Sequence, residues 1–209
     1  MPVSRCLARL LPLSLIACAM AAVAAPDNDT AVTFYGGYRS GGSGLTDANS
    51  GDGLTIESSA AGAISLDFGL DARRQVQLYF AQQNTRLNPD GSTTSGNGLP
   101  LKVSYLHLGG TVFFEGPVGR GPYVVGGLGA TVFDPSGAGY STEVRPSMNV
   151  GIGYQLPLGE RVALRAEARG YVTLVNSSGG FFCSGGCVIA IQGDTVTQAD
   201  VQLGLSFRF

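Results

Sequence analysis

Apolar and polar residues alternate with a period of two in eight stretches of this chain. In residues 63–71, the clearest stretch, the even-numbered positions are apolar and the odd-numbered positions are small or polar. Successive side chains of a β-strand point to opposite faces, so the alternation predicts strands with one apolar face and one polar face. The eight predicted strands cover residues 31–40, 63–71, 74–85, 101–115, 122–134, 147–156, 162–175 and 196–209.

The connections between these strands differ in length. The longer segments are residues 41–58, 88–100, 134–144 and 176–195, and the tight turns are residues 71–74, 116–121 and 157–161. Long loops at one end and short turns at the other are typical of outer-membrane barrels. We therefore predict an all-β fold, an eight-stranded antiparallel up-and-down barrel with both termini at the short-turn end.

The alternation alone does not say which face points inward. A soluble barrel would bury the apolar face, whereas a membrane barrel exposes it to lipid. Here the polar face is rich in Gly, Ser, Thr and Gln, and its few charges have both signs, so we expect them to pair in a narrow lumen. The expected lumen network contains Arg39, Asp67, His107, Arg165, Glu167, Arg169 and Arg208.

Aromatic residues near the strand ends also favour a transmembrane barrel, because such barrels carry aromatic girdles at both interfaces. The residues assigned to these girdles are Phe34, Tyr123, Phe133, Phe207 and Phe209. Each predicted strand is long enough to cross a membrane when it is tilted. A secreted or periplasmic β-barrel is the alternative interpretation.

Residues 1–25 have the pattern of a cleavable signal peptide. Arg5 and Arg9 precede an apolar segment at residues 10–17, and Ala22-Val23-Ala24 resembles a signal-peptidase site. Cleavage after Ala24 or Ala25 would leave a single barrel domain at residues 26–209. The alternative is lipidation at Cys18, which follows Leu-Ile-Ala.

Composition agrees with an all-β chain rich in turns, since it includes 32 glycines, no tryptophan and only 13% charged residues. The 13 basic and 15 acidic residues give a net charge of −2, and Lys102 is the only lysine. No basic run is present, so nucleic acid is not an expected partner. No stretch of 18 apolar residues follows the signal peptide, which excludes a helical membrane span.

Three segments and the terminal residue carry a family resemblance: TFYGGYRS at residues 33–40, YLHLGGTVFFE at residues 105–115, PYVVGGLGATVF at residues 122–133, and Phe209. The chain resembles the small outer-membrane β-barrel superfamily, with its OmpA-like and OmpX-like transmembrane domains. The resemblance implies an integral protein of the bacterial outer membrane with extracellular long loops and periplasmic termini. It also implies contact with outer-membrane lipid and lipopolysaccharide, and an assembly signal at Phe207 and Phe209 that the barrel-assembly machinery reads.

His107 is the only histidine. Some outer-membrane barrels that modify lipid A use a histidine with a serine and an acid, but such a triad needs those partners at one place near the membrane surface. His107 shares a face with Tyr105 in mid-strand, so we expect a hydrogen-bonded lumen residue. We predict no catalytic residues and no enzyme activity.

Cys183 and Cys187 form a CSGGC motif in the longest loop. In an oxidising compartment we expect a disulfide between them. No further Cys or His lies nearby to complete a zinc site, so neither a metal nor another cofactor is expected.

Eight strands leave an interior that side chains can just fill. The expected function is therefore a structural or cell-surface interaction role with a filled, non-conducting lumen. The alternative is a narrow porin-like channel for small or apolar solutes, which the glycine-rich strands favour. A lipid-modifying enzyme that depends on His107 is a third hypothesis.

Overall fold

The computed structural model describes residues 30–42, 45–46, 53–89, 98–136, 141–175 and 195–209. These residues form strands and connections, and none of them belongs to a helix long and apolar enough to cross a membrane. The strands are β1 (Thr30–Arg39), β2 (Leu45–Thr46), β3 (Gly53–Ile56), β4 (Ser59–Gly69), β5 (Arg74–Pro89), β6 (Leu99–Phe113), β7 (Gly121–Pro135), β8 (Glu143–Pro157), β9 (Val162–Leu174) and β10 (Thr195–Arg208).

The eight long strands form a closed antiparallel barrel, which confirms the predicted fold class. Each long strand pairs with the next long strand in the sequence, from β1 with β4 through to β9 with β10. The barrel closes where the first and last strands pair, with Ala31 opposite Arg208 and Arg39 opposite Asp200. Closure matters in lipid because an open strand edge would leave backbone groups without partners.

The two short strands lie in a segment that the sequence pattern predicted to be a connection without strands. This prediction was wrong, because β3 pairs with the far end of β5, with Leu54 opposite Pro89 and Ile56 opposite Leu87. The physical reason is apolar burial, since Leu54, Ile56 and Leu87 all point into the core. The same burial carries β5 four residues beyond its predicted end.

The barrel has an apolar exterior and a polar interior. On β10, Leu203 is 60% exposed on the outer face, whereas Arg165 on the neighbouring strand is 1% exposed and faces the lumen. The outer face carries further exposed apolar side chains, including Leu106, Leu108, Leu128, Val150, Ile152 and Val201. This is the arrangement of a membrane barrel and the reverse of a soluble one.

The assigned aromatic girdle needs a correction. Tyr123 and Phe133 are each only 1% exposed and lie inside the barrel, so neither contacts an interface. Phe34 faces outward but lies in the middle of β1. Phe207 and Phe209 are outward-facing residues at a strand end.

The apolar belt stops before the strands do at the long-loop end. On the outer face of β5, Val76, Leu78 and Phe80 are followed by Gln82 and Asn84. The partner positions on β6 are also polar, with Ser104 opposite Gln82 and Lys102 opposite Asn84. The strands therefore continue past the hydrocarbon boundary.

The short-turn end is closed by its own turns. In the β4–β5 turn, Asp71 accepts hydrogen bonds from the amides of Arg73 and Arg74, and the Arg74 guanidinium hydrogen-bonded to it lowers the pKa of the Asp71 carboxyl. The β6–β7 turn, residues 114–120, folds under the barrel, where the Val118 amide donates to the Ala72 carbonyl over 2.8 Å. The Val118 side chain packs with Phe113, Tyr123 and Val125 inside the mouth.

The facing of β10 gives a test of the fold. Leu203→Arg places a charge on the lipid face near mid-membrane and should destabilise the barrel by roughly 2–4 kcal/mol. The matched control is Thr195→Arg, an outward-facing change at the long-loop end of the same strand, which should cost about 0–1 kcal/mol. Urea unfolding in lipid vesicles measures both, and equal destabilisation would contradict the assigned outer face.

Candidate functional site

The lumen contains a network of buried charged side chains. Within the described residues, three ion pairs are almost fully buried. They are Arg39–Asp200 at 2.8 Å, Arg165–Asp67 at 2.9 Å and Arg169–Glu167 at 2.6 Å. Three guanidiniums thus face three carboxylates, and the buried charges balance.

Strand β9 supplies much of this network because of its period of two. Arg165, Glu167, Arg169 and Tyr171 are alternate residues and therefore point to the same inner face. The neighbouring strand β8 places glycines beside two of them, with Gly151 opposite Arg169 and Gly153 opposite Glu167. The missing side chains leave lumen space for the long ones.

Glu167 lies at the centre of the network. Its Oε1 accepts hydrogen bonds from Arg169 Nε at 2.8 Å and from Gln202 Nε2 at 2.7 Å, while its Oε2 accepts one from the Tyr123 hydroxyl at 2.8 Å. The Arg169 guanidinium also lies over the ring of Tyr79, 3.8 Å from the ring centre. Charge-assisted bonds of this kind offset the cost of removing a carboxylate from water.

Asp67, on strand β4, also accepts three hydrogen bonds from side chains. It accepts hydrogen bonds from Arg165 Nη1 at 2.9 Å, from the Ser65 hydroxyl at 2.8 Å and from Gln77 Nε2 at 2.7 Å. The other amide atom of Gln77 accepts from Arg169 Nη2 at 3.0 Å. The Asp67 and Glu167 clusters are therefore one connected network across the lumen.

The third ion pair lies where the barrel closes. Asp200 Oδ2 accepts from Arg39 Nε at 3.1 Å and Nη2 at 2.8 Å, and from the Tyr171 hydroxyl at 2.9 Å. The Arg39 guanidinium lies over the rings of Tyr171 and Tyr105, at 4.6 Å and 4.9 Å from their centres. A buried cation thus has both a carboxylate and two aromatic faces as partners.

The lumen is tightly packed around Tyr123, near the short-turn end of the barrel. Its ring lies directly over Gly153, its cross-strand neighbour, and a Cβ at Gly153 would overlap the ring. This close approach requires glycine, and it brings the Tyr123 hydroxyl within reach of Glu167. The ring also lies 4.7 Å from the Arg165 guanidinium carbon.

The lumen becomes apolar towards the long-loop end. The buried side chains there form one cluster with Tyr105, Tyr79 and Tyr171, and its apolar members include Leu54, Ile56, Leu87, Leu101, Val103, Phe133, Val175 and Val196. The inside of the barrel thus has a charged, hydrogen-bonded middle and an apolar, closely packed end.

Comparison with known proteins agrees with this architecture. A sequence model described as the outer membrane protein beta-barrel domain matches residues 13–209. The chain belongs to this outer-membrane β-barrel family. No curated protein sequence matches the chain at a significant level.

Two solved structures of outer-membrane barrels share the fold at low sequence identity, and a third is less similar. Neisserial surface protein A is 11% identical with a TM-score of 0.59, covering 86% of this chain and 97% of its own. Outer membrane protein AlkL is 15% identical with a TM-score of 0.58, covering 97% of each chain. Ail of Yersinia pestis is 14% identical with a TM-score of 0.42, covering 86% of this chain and 98% of its own.

His107 points into the lumen from strand β6 and is buried there. Its Nε2 is 2.9 Å from the Ser147 hydroxyl, and its ring stacks against Tyr105 and Tyr171. Its Nδ1 has no hydrogen-bond partner among the residues that the structure describes. A histidine and a serine are therefore adjacent, but no carboxylate of the described residues orients the ring.

Arg208 lies apart from the six other residues assigned to the lumen network. It is half-buried at the short-turn mouth, where its Nη2 donates to the Val118 carbonyl over 3.0 Å. Cys183 and Cys187, the expected disulfide, lie outside the described residues. Within the described ranges no group of three His, Cys, Asp or Glu residues could hold a metal.

Several members of the network were not singled out from the sequence. Asp200, Gln77 and Gln202 form hydrogen bonds with residues that were, and the ring of Tyr79 lies against the Arg169 guanidinium. All four occupy the polar face of an alternating strand, which is the signal that could have placed them in the lumen. Their individual partners come from distant strands, which periodicity does not reveal.

Removal of one buried partner should be costly. Asp200→Ala leaves the Arg39 guanidinium in the lumen without its carboxylate, and we expect a loss of about 3–5 kcal/mol in unfolding free energy. The matched control is Asp134→Ala, because Asp134 forms an exposed ion pair with Lys102 at 3.6 Å, whose removal should cost at most about 1 kcal/mol. Denaturant unfolding in vesicles measures both, and equal losses would show that the buried pair contributes no more than an exposed one.

Proposed function

We propose that this outer-membrane barrel has a filled, non-conducting lumen and a structural or cell-surface interaction role. The observation that carries the proposal is the connected network of Arg39, Asp67, Arg165, Glu167, Arg169 and Asp200 across the lumen. Its charges balance, and each carboxylate accepts hydrogen bonds from at least two different side chains.

A permeating ion would have to break this network. The buried pairs would lose their partners in a region that offers little water, and an uncompensated buried charge costs several kcal/mol. Beyond the network, the apolar cluster packs across the lumen at the long-loop end. An eight-stranded barrel has no further width for a path around these side chains.

An enzymatic role is not part of the proposal. The pair of His107 and Ser147 lies inside the barrel, and His107 is only 1% exposed. Ser147 is also buried, at 6% exposure, so its hydroxyl is not presented to a substrate at the membrane surface. Nucleophilic catalysis also needs a base that a third group orients, which the surroundings of His107 Nδ1 do not supply among the described residues.

The proposed placement puts the long loops outside the cell and the termini in the periplasm. Outer-membrane barrels have short periplasmic turns and longer extracellular loops, and both ends of the described barrel, Thr30 and Phe209, lie together at the short-turn end. The partners proposed for the outer surface are outer-membrane lipid and lipopolysaccharide. Phe207 and Phe209 face outward on the closing strand, where the barrel-assembly machinery could read them.

Conductance tests the filled lumen. We expect the refolded protein to insert into planar bilayers without steady single-channel steps, because the three ion pairs block the barrel. The comparison variant is Arg39→Ala/Asp200→Ala, which removes one complete pair and leaves no unpaired charge. Heat-modifiable gel mobility shows that both proteins are folded.

Steady steps from the unmodified protein would contradict the filled lumen. They would favour the second candidate, a narrow channel for small or apolar solutes.

Lys102 allows a direct test of orientation. It is the only lysine in the chain and lies half-exposed at the long-loop end. We expect a membrane-impermeant, amine-reactive biotin ester to label the protein on intact cells and to leave the Lys102→Gln variant unlabelled. The amino terminus, at the other end, should react only after permeabilisation. Labelling of Lys102 only in permeabilised cells would place the long loops in the periplasm.

A further inference from the structure

A recess of about 280 Å³ opens at the short-turn mouth of the barrel. It lies between the β6–β7 turn and the β8–β9 turn (residues 158–161), and it is separate from the lumen network described above. Its lining includes three arginines, Arg120, Arg161 and Arg208, and one carboxylate, Glu160. This gives the recess an excess of positive charge.

The floor of the recess carries two polar side chains that form no hydrogen bond with another described residue. Gln155 is 5% exposed and Ser206 is 3% exposed, and both face inward from β8 and β10. Neither side chain forms a hydrogen bond within the part of the chain that the structure describes. Neither residue has a fully buried polar atom that lacks a partner, so the polar atoms of both side chains reach open space and are available to a molecule in the recess.

Within the described ranges, the arginines at the rim are not paired with carboxylates. No Asp or Glu among the described residues lies within 4.0 Å of a guanidinium nitrogen of Arg120, Arg161 or Arg208. This differs from the lumen, where Arg39, Arg165 and Arg169 each have a carboxylate partner. The recess therefore places guanidinium groups without a described carboxylate partner beside polar side chains that can form further hydrogen bonds.

The turn fixes one of these arginines in place. The Arg208 guanidinium donates to the Val118 carbonyl and packs against Gly119, where a Cβ would overlap it. Gly119 has φ +91°, a conformation that favours glycine. The β6–β7 turn thus holds Arg208 at the mouth, and glycine at position 119 allows the turn to approach the guanidinium this closely.

We propose that this recess binds a phosphate group. Guanidinium forks match the oxygens of phosphate and donate charge-assisted hydrogen bonds to it. The Ser206 hydroxyl and the Gln155 amide would add neutral donors from the floor. The phosphate can belong to free inorganic phosphate or to the headgroup of an anionic phospholipid.

The surroundings of the recess are compatible with a lipid headgroup. Val162 lines the recess, and Leu158 in the adjoining turn is 59% exposed. Phosphate at the rim would then lie at the edge of the apolar belt, where acyl chains begin. Free phosphate would use the same arginines without this apolar surface.

The test uses the isotope-labelled full barrel, refolded in a maltoside detergent that contains no phosphate. NMR titrations at constant ionic strength compare inorganic phosphate with a short-chain phosphatidylglycerol. We expect saturable shifts of the amides of residues 118–120, 155 and 206 with at least one of the two probes. Binding that is at least tenfold tighter for phosphatidylglycerol assigns the site to a headgroup, and equal or tighter binding of inorganic phosphate assigns it to the free anion.

Two double variants control for charge. Arg120→Gln/Arg161→Gln removes two recess arginines that have no ion-pair partner in the described part of the chain, and we expect at least a tenfold weaker affinity. Arg73→Gln/Arg74→Gln removes the same charge from the neighbouring turn at the same end, and we expect an unchanged affinity. Heat-modifiable mobility shows that each variant folds. Unsaturable shifts with both probes, or an equal loss in the two variants, would overturn the proposal.

Discussion

The hydrocarbon around the barrel is the constraint from which the rest of the structure follows. Lipid accepts the apolar face of each strand, so the polar face of each strand must point into the lumen. Eight strands enclose a space that only side chains fill, and any charge that enters it loses its water. Arg39, Arg165 and Arg169 are therefore stable there only because Asp200, Asp67 and Glu167 are beside them.

A second requirement follows from the narrowness of the lumen. Three arginines and their tyrosine partners fit across it only where facing positions are small. Strand β8 meets this need with Gly151 and Gly153 beside Arg169 and Glu167, and the ring of Tyr123 occupies the space over Gly153. These two glycines thus leave space for the large side chains beside them, and the large and small residues of adjacent strands are complementary.

Much of this architecture follows from the sequence, because a strand's two faces are encoded in consecutive residues. The eight strands and the two faces of β9 could be predicted from period-two alternation, and the composition of the polar face indicated that it points inward. The pairing of charges could not, since Arg39 and Asp200 are 161 residues apart and meet only when the barrel closes. Register across eight strands decides such contacts, and periodicity within one strand carries no information about it.

The wrong predictions arose where the apolar alternation is weak or short. Tyr123 and Phe133 were placed at the membrane interface because they lie near strand ends, but both occupy inward positions of β7. Several glycines lie between them, so the apolar alternation that marks the outer face is weak in that strand. Leu54 and Ile56 were assigned to a polar connection because two alternate apolar residues are too short a pattern to predict a strand.

The arginines of this protein divide into two groups by their access to water. In the lumen, desolvation makes an unpaired guanidinium costly, and Arg39, Arg165 and Arg169 each have a carboxylate partner there. At the short-turn mouth, water lowers that cost, so Arg120 and Arg161 can remain without a carboxylate partner among the residues that the structure describes. Arginine therefore has two roles in this barrel. Inside the apolar belt its charge is paired and helps to fill the lumen, whereas at the short-turn mouth, beyond the belt, its charge is available to a ligand.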